Sequence, residues 1–187
     1  MRRLICAVLL VAAGSMAMAP ARADDTIKPF VGTFAGTADV EIKEGVTQKR
    51  NVRIIVKQTD RGFVVDWTTE FDKDGKTVKN RVAVEFAAVR NDKVKFHPSV
   101  KVFAAGMRRN LFGKRIPIDP LTGDPYYWAS ISKGTMRVYG VRVVEDGGWE
   151  VQIYERKIVP GGMHLTFKRI RNGTPLKDIN ATLKRVK

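Results

Sequence analysis

The chain has 187 residues and contains 34 lysines and arginines against 19 acidic residues, which gives a formal net charge of +15. This length suits one domain with an ordinary hydrophobic core, and a single cysteine excludes internal disulfides and multi-cysteine zinc sites. The excess positive charge favours an anionic partner, although lysine and arginine also keep the outer faces of strands soluble and block pairing at sheet edges.

The first 23 residues have the features of an export signal. Two arginines precede an apolar run over residues 4–13, and the small-x-small sequence ARA at residues 21–23 is typical of a cleavage site. The run of about ten apolar residues is well short of the roughly 20 that span a bilayer, so we expect cleavage rather than a retained anchor. Residues 24–187 would then form one exported domain. This domain would lack Cys6 and would have a net charge of +12, because the signal contains three arginines and no acid.

Export narrows the candidate partners of a basic protein. We expect the bacterial periplasm, and the scarcity of nucleic acid there argues against a nucleic-acid partner. Anionic lipid head groups, envelope polymers and acidic small molecules remain candidates. The sequence does not indicate an oligomeric state.

A period of two dominates the chain after the signal. In residues 63–71 every second residue is large or β-branched and the residues between are mostly polar, and Met163, Leu165 and Phe167 alternate with polar residues in the same way. This period is typical of strands with one buried face. No helical stripe of ten residues is present. The pattern predicts strands near residues 32–42, 49–58, 63–71, 77–88, 93–96, 100–104, 126–132, 135–144, 149–159, 163–171 and 176–186.

Turn residues separate these strands. Residues 60–62, 72–75 and 160–162 contain glycine with aspartate or proline, and glycine and aspartate tolerate the positive φ of tight hairpins. Strands joined in order by hairpins form an antiparallel meander, and a long meander closes on itself to remove its exposed edges. We therefore predict an all-β fold, an up-and-down antiparallel β-barrel of about 8–10 strands. One long loop, between Ala105 and Pro125, interrupts it.

The opening strand, FVGTFAG at residues 30–36, resembles the first strand of the lipocalin and fatty-acid-binding (calycin) superfamily. That strand often contains glycine-x-tryptophan near the base of the barrel, and Phe34 takes the aromatic position here. The family typically places a late arginine or lysine over this aromatic residue. The resemblance therefore implies a lipocalin-like barrel in which Arg185 lies over Phe34.

A second resemblance covers residues 119–171, which include DPYYWA at 124–129 and DGGWEVQIYER at 146–156. This stretch is similar to small exported proteobacterial proteins of uncharacterised function. The similarity implies a bacterial periplasmic setting and implies no activity.

Residues suited to catalysis or metal binding are few. The two histidines, His97 and His164, lack the spacing of a metal pair, and no serine lies in a nucleophile elbow or a serine-x-x-lysine motif. No glycine-rich phosphate loop precedes a helix. The sequence therefore predicts no catalytic residue, no metal site and no cofactor. It leaves open an enzyme whose catalytic groups meet only in three dimensions.

Large aromatic residues come from several predicted strands, and alternation places several of them inside the barrel. Such side chains either fill the interior completely or line a space for one small apolar ligand, and the sequence leaves both alternatives open. The candidate ligand-binding aromatic residues are Phe34, Trp67, Trp128, Tyr139 and Phe167.

The long loop contains the basic segment RRNLFGKR at residues 108–115. Its cations surround Leu111 and Phe112, and they are Arg108, Arg109, Lys114 and Arg115. The segment is either a solvated loop, a surface that docks on anionic lipid or polysaccharide, or a rim that holds the acidic head of a ligand.

The leading hypothesis is a periplasmic binding or carrier protein for an apolar or amphipathic anionic small molecule. The apolar tail would contact Trp67, Trp128 and Phe167, and the acidic head would lie near Arg108 and Arg115. The alternative hypothesis is an envelope-associated interaction protein that docks its basic loop on anionic lipid or polysaccharide.

Overall fold

The computed structural model describes residues 25–43, 46–89, 96–97, 99–105, 107–109 and 115–186. The predicted export signal lies outside the described residues. So does most of the strand predicted near residues 93–96, of which Phe96 alone is described and is not in a strand. None of the described residues belongs to a helix that is long and apolar enough to cross a bilayer.

Ten strands of the described chain form one closed barrel in which every neighbouring pair is antiparallel. Consecutive strands are neighbours, and the last strand closes the barrel by pairing with the first. The predicted all-β up-and-down barrel is therefore confirmed. The barrel strands are β1 (Gly32–Lys43), β2 (Val46–Thr59), β3 (Gly62–Lys73), β4 (Lys76–Ala88), β5 (Lys101–Ala105), β8 (Tyr126–Ser132), β9 (Thr135–Val143), β10 (Trp149–Val159), β11 (Gly162–Arg171) and β12 (Thr174–Val186).

The predicted long loop between β5 and β8 has secondary structure of its own. The strands β6 (Met107–Arg109) and β7 (Arg115–Pro117) pair with each other in a short antiparallel hairpin. A 3-10 helix, Pro120–Thr122, follows, and the side chain of Asp119 caps it by accepting a hydrogen bond from the backbone nitrogen of Leu121 at 2.9 Å.

The strand directions define two ends of the barrel. The β2–β3, β8–β9 and β10–β11 turns lie at one end, where a second 3-10 helix, Lys28–Phe30, precedes β1. Ile27, which precedes this helix, and Phe30, at its end, are fully buried, and we call this the closed end. The β1–β2, β3–β4, β9–β10 and β11–β12 connections lie at the other end, which we call the open end. The segment between β5 and β8 is attached to the open end as well.

Side chains fill the half of the barrel next to the closed end. The ring of Phe63 stacks on Phe86 at 5.0 Å between centroids and meets Phe103 edge-on at 4.9 Å. Such aromatic pairs add to the stability that burial of their apolar area provides. The other fully buried large residues of the core include Phe34, Ile54, Met136, Met163 and Leu183.

Candidate functional site

A cavity of about 260 Å³ occupies the half of the barrel next to the open end. Among its lining residues within the described chain, four are cationic and none is acidic. The remainder are mostly apolar. The lining consists of Ala38, Val40, Arg50, Val52, Ile54, Trp67, Thr69, Asn80, Val82, Gln152, Tyr154, Arg156, Leu165, Phe167, Arg169, Lys177 and Ile179.

Arg156 on β10 lies at the bottom of this cavity and is 0% exposed. Its Nε, Nη1 and Nη2 atoms have no hydrogen-bond partner among the described residues. Burial lowers the pKa of Arg156 to about 10, so its guanidinium is still charged at neutral pH. An unpaired buried charge of this kind is costly, because the ion has lost its water and gained no counter-charge.

Aromatic rings surround the guanidinium. Its Cζ atom lies 5.5 Å from the ring centroid of Trp67 and 5.4 Å from that of Tyr154, and both separations are within cation–π range. Tyr154 also contacts Phe167, with 4.7 Å between ring centroids. The bottom of the cavity therefore combines one fixed positive charge with a wall of aromatic rings.

Three more cations lie toward the open end, and they come from β2, β11 and β12. Arg50 is half-buried with its Cζ atom 4.3 Å from the ring centroid of Phe71, and burial lowers its pKa. Burial and the positive charges of Arg50 and Arg169 lower the pKa of Lys177. The side chain of Arg169 is 36% exposed, whereas Arg156 is fully buried, so the cavity opens to solvent at this end.

A polar ladder on the inner face of β10 holds one of these cations. The Tyr154 hydroxyl donates to Gln152 Oε1 at 2.8 Å, and Gln152 Nε2 donates to Glu150 Oε1 at 2.9 Å. Glu150, with its side chain 1% exposed, accepts hydrogen bonds from Arg169 and Arg142. Burial alone would raise the pKa of Glu150, but the hydrogen bonds from Arg169, Gln152 and Arg142 outweigh it and hold this pKa below its usual value.

Comparison with known proteins gives a structural similarity alone. No family model and no curated protein matches this chain. The crystal structure of Rv2717c from M. tuberculosis is similar at 10% identity and a TM-score of 0.45, with 87% of this chain and 98% of that chain covered.

Two of the aromatic residues predicted as ligand contacts, Trp67 and Phe167, line the cavity. Phe34 does not line it, because it is fully buried in the filled half near the closed end. The predicted contact between Arg185 and Phe34 is present, with the guanidinium Cζ atom 4.5 Å from the ring centroid. Phe34 therefore contributes to closure of the barrel base and not to the cavity.

Trp128 and Tyr139 were assigned to the interior wrongly. Burial along β8 alternates so that Tyr127 points inward and Trp128 outward, and Trp128 stacks on Tyr139 of β9 at 4.9 Å on the outside of the barrel. Because Tyr127 and Trp128 are adjacent and both aromatic, the sequence does not show which of them points inward. The Tyr127 ring fits inside the barrel because it packs over Gly140, which has no side chain. A Cβ atom at residue 140 would lie 2.6 Å from this ring.

The basic segment of the long loop is described in part. Arg108, Arg109 and Arg115 belong to the β6–β7 hairpin, in which Arg109 pairs with Arg115, but their side chains lie outside what the structure describes. Lys114 lies wholly outside the described residues. The hairpin belongs to the segment attached to the open end. Because the side chains of its cations are not described, their role at the rim stays a prediction.

Arg156 was missed in the sequence, although a signal for it existed. The two-residue turn after β10 leaves Val159 opposite Gly162, and this register places Arg156 opposite Leu165. Cross-strand partners share a face of the sheet, and alternation had already placed Leu165 inside.

Outside the cavity, His164 lies within 3.5 Å of the Thr182 hydroxyl on the outer face. The described residues contain no cluster of three or more histidine or acidic side chains that could hold a metal ion.

Proposed function

We propose that this protein is an exported binding or carrier protein for a small amphipathic anion, held with its acidic group at Arg156. The observation that supports this most strongly is the absence of any hydrogen-bond partner for Arg156 among the described residues. A carboxylate can accept two parallel hydrogen bonds from one guanidinium, and such charge-assisted bonds are among the strongest in proteins. Because the guanidinium is 0% exposed in the ligand-free barrel, its side chain must shift to meet an anion. The bound anion would then supply the partner that the barrel itself does not.

The remaining lining favours an apolar ligand body. Trp67, Leu165 and Phe167 surround the space in front of Arg156, and no carboxylate of the described lining would repel an anion. The volume of about 260 Å³ lies just below the roughly 300–1,000 Å³ of typical drug-sized sites, so one short acyl chain is a suitable occupant. The acidic group would point inward to Arg156, and not outward to Arg108 and Arg115 as first expected.

Isothermal titration with dodecanoate tests the proposal directly. Arg156→Met removes the charge and keeps an unbranched apolar side chain, and we expect it to weaken binding about tenfold to a hundredfold, the range for hydrogen bonds to a charged group. Arg53→Met is the matched control, because Arg53 is exposed on the outer face of β2. Equal affinity in the wild type and Arg156→Met, or no binding to the wild type, would contradict the proposal.

A carrier should also retain its natural ligand during purification. Denaturing extraction of the protein from its native compartment, followed by mass spectrometry, should yield an acidic amphipathic molecule. The same extract from Arg156→Met should lack it. Repeated extracts of the wild type without such a molecule would argue against a carrier.

A further inference from the structure

Positive charge lies at both ends of the cavity. Arg156 is at the bottom, and Arg50 and Lys177 are near the opening. A site for a simple fatty acid needs one positive charge at the bottom and apolar walls beyond it. The second group of cations therefore requires its own explanation.

The strand register gives the separation of the two cationic levels. On β11, Leu165 pairs with Arg156, and Arg169 pairs with Lys177. Leu165 and Arg169 are four residues apart on one strand, which corresponds to about 13 Å at roughly 3.3 Å per residue. Phe167 and Ile179 pair midway between these levels, so the wall that joins them is apolar.

The cations near the opening differ in how their charge is compensated. Arg169 forms ion pairs with the buried carboxylate of Glu150. Neither Arg50 nor Lys177 forms an ion pair with a carboxylate within the described chain, and Arg50 donates its Nε hydrogen bond to the neutral amide oxygen of Gln48 at 3.0 Å. Arg50 and Lys177 also repel each other. Two half-buried, mutually repelling cations that both line a cavity would be stabilised by a second anionic group.

We propose that the ligand has two acidic groups separated by an apolar spacer, one bound by Arg156 and the other by Arg50 and Lys177. An α,ω-dicarboxylate is the simplest molecule of this class. The inference rests on the proposed function, because it assigns the second end of the same ligand. It excludes a simple monocarboxylate as the preferred ligand.

Ligand pairs that differ by a single charge test this inference. Octanedioate, decanedioate and dodecanedioate are each titrated against their monomethyl esters, which keep the chain and lose one carboxylate. For the diacid whose length fits the cavity, we expect the wild type to bind the diacid about tenfold or more tightly than the ester, as expected for one added charge-assisted contact. This ratio is measured on the unmodified protein, so it does not depend on whether a variant folds.

A double substitution then locates the second contact. Arg50→Met with Lys177→Met should reduce the preference for the diacid to about twofold or less and leave the affinity for the ester nearly unchanged. The matched control is Lys49→Met with Arg53→Met, which removes the same charge from exposed positions on the outer face of β2 and should keep the preference.

The outcomes separate this inference from the proposed function. If every ester binds as tightly as its diacid, the inference of a second acidic group is overturned, while the proposed binding of one anion at Arg156 is kept. If the outer-face control loses the preference as fully as the cavity variant, the cations act through net charge alone and the inference is overturned. If neither diacids nor esters bind, both the proposed function and this inference fail.

Discussion

The guanidinium of Arg156 faces the ring of Trp67 across the bottom of the cavity, with 5.5 Å between its Cζ atom and the ring centroid. A desolvated cation–π contact contributes about 2 kcal/mol, whereas the effective cost of burying an ion is several kcal/mol. The contact therefore offsets part of the cost and leaves the ligand-free barrel less stable than an apolar residue would make it. Binding sites commonly retain residues that lower stability in this way.

Arg156→Met should therefore stabilise the ligand-free protein. Methionine fills a similar volume without a charge, and replacing buried ionic groups by apolar ones stabilises proteins by up to about 4 kcal/mol. Urea unfolding followed by circular dichroism measures the change. Arg53→Met, at an exposed position, should change the free energy of unfolding by no more than about 0.5 kcal/mol. A marked loss of stability in Arg156→Met would mean that the guanidinium has a partner within the protein.

Glu150→Gln should weaken the open end of the barrel. The carboxylate holds Arg142 and Arg169, and loss of its charge should reduce the free energy of unfolding by about 1–3 kcal/mol. The pKa of Glu150 is lower in the folded protein than in the unfolded chain. Its contribution to the free energy of unfolding is therefore fully present above the unfolded-chain pKa and is lost as the pH falls through the folded-state pKa. The free energy of unfolding of the wild type should therefore decrease as the pH falls below about 4, and this decrease should be smaller in Glu150→Gln. Identical pH profiles for the two proteins would contradict this account.

Arg185 should secure the closed end. Its Nη1 donates to the Val31 carbonyl at 2.6 Å and its Nη2 to the Pro29 carbonyl at 2.7 Å. Arg185→Met should reduce the free energy of unfolding by about 1–3 kcal/mol and increase hydrogen exchange in the short helix Lys28–Phe30. Lys184→Met removes the same charge from the neighbouring exposed position and should leave that exchange unchanged. Faster exchange in both variants would assign the effect to net charge.

Trp67 and Trp128 should behave oppositely in ligand binding. Trp67→Leu removes a ring that lines the cavity and should weaken dodecanoate binding at least several-fold. Trp128→Leu changes the outer surface and should leave the affinity within about twofold, since distant sites act independently. Titration of both variants measures the contrast. A comparable loss of affinity in Trp128→Leu would show that the ligand binds outside the barrel.

The strand pattern and the closure of the barrel were predictable from alternation and turns, whereas alternation did not give the inner face of β10. Period-two alternation and turn residues located most strands to within a few residues, because both depend on local sequence. On β10 the apolar residues Val151 and Ile153 point outward, and Gln152, Tyr154 and Arg156 point inward. Alternation alone assigns such a strand backwards, and the register of its hairpin with β11 is needed to correct it.

The cavity itself was not predictable, since it depends on how side chains of distant strands share the interior. Phenylalanines of β3, β4 and β5 contact one another near the closed end, where the fully buried Phe34 of β1 also lies. Near the open end, smaller residues such as Ala38, Val52 and Val82 leave space. Each strand shows which residues point inward, but the volume left between them depends on strand tilt and stagger around the whole barrel.

The most direct test is an experimental structure of the protein with dodecanoate bound. The proposed function predicts the chain inside the barrel and the carboxylate oxygens about 2.7–2.9 Å from the guanidinium nitrogens of Arg156, the distance of a charge-assisted hydrogen bond. A carboxylate that lies only at the open end, with Arg156 still unpaired, would contradict it.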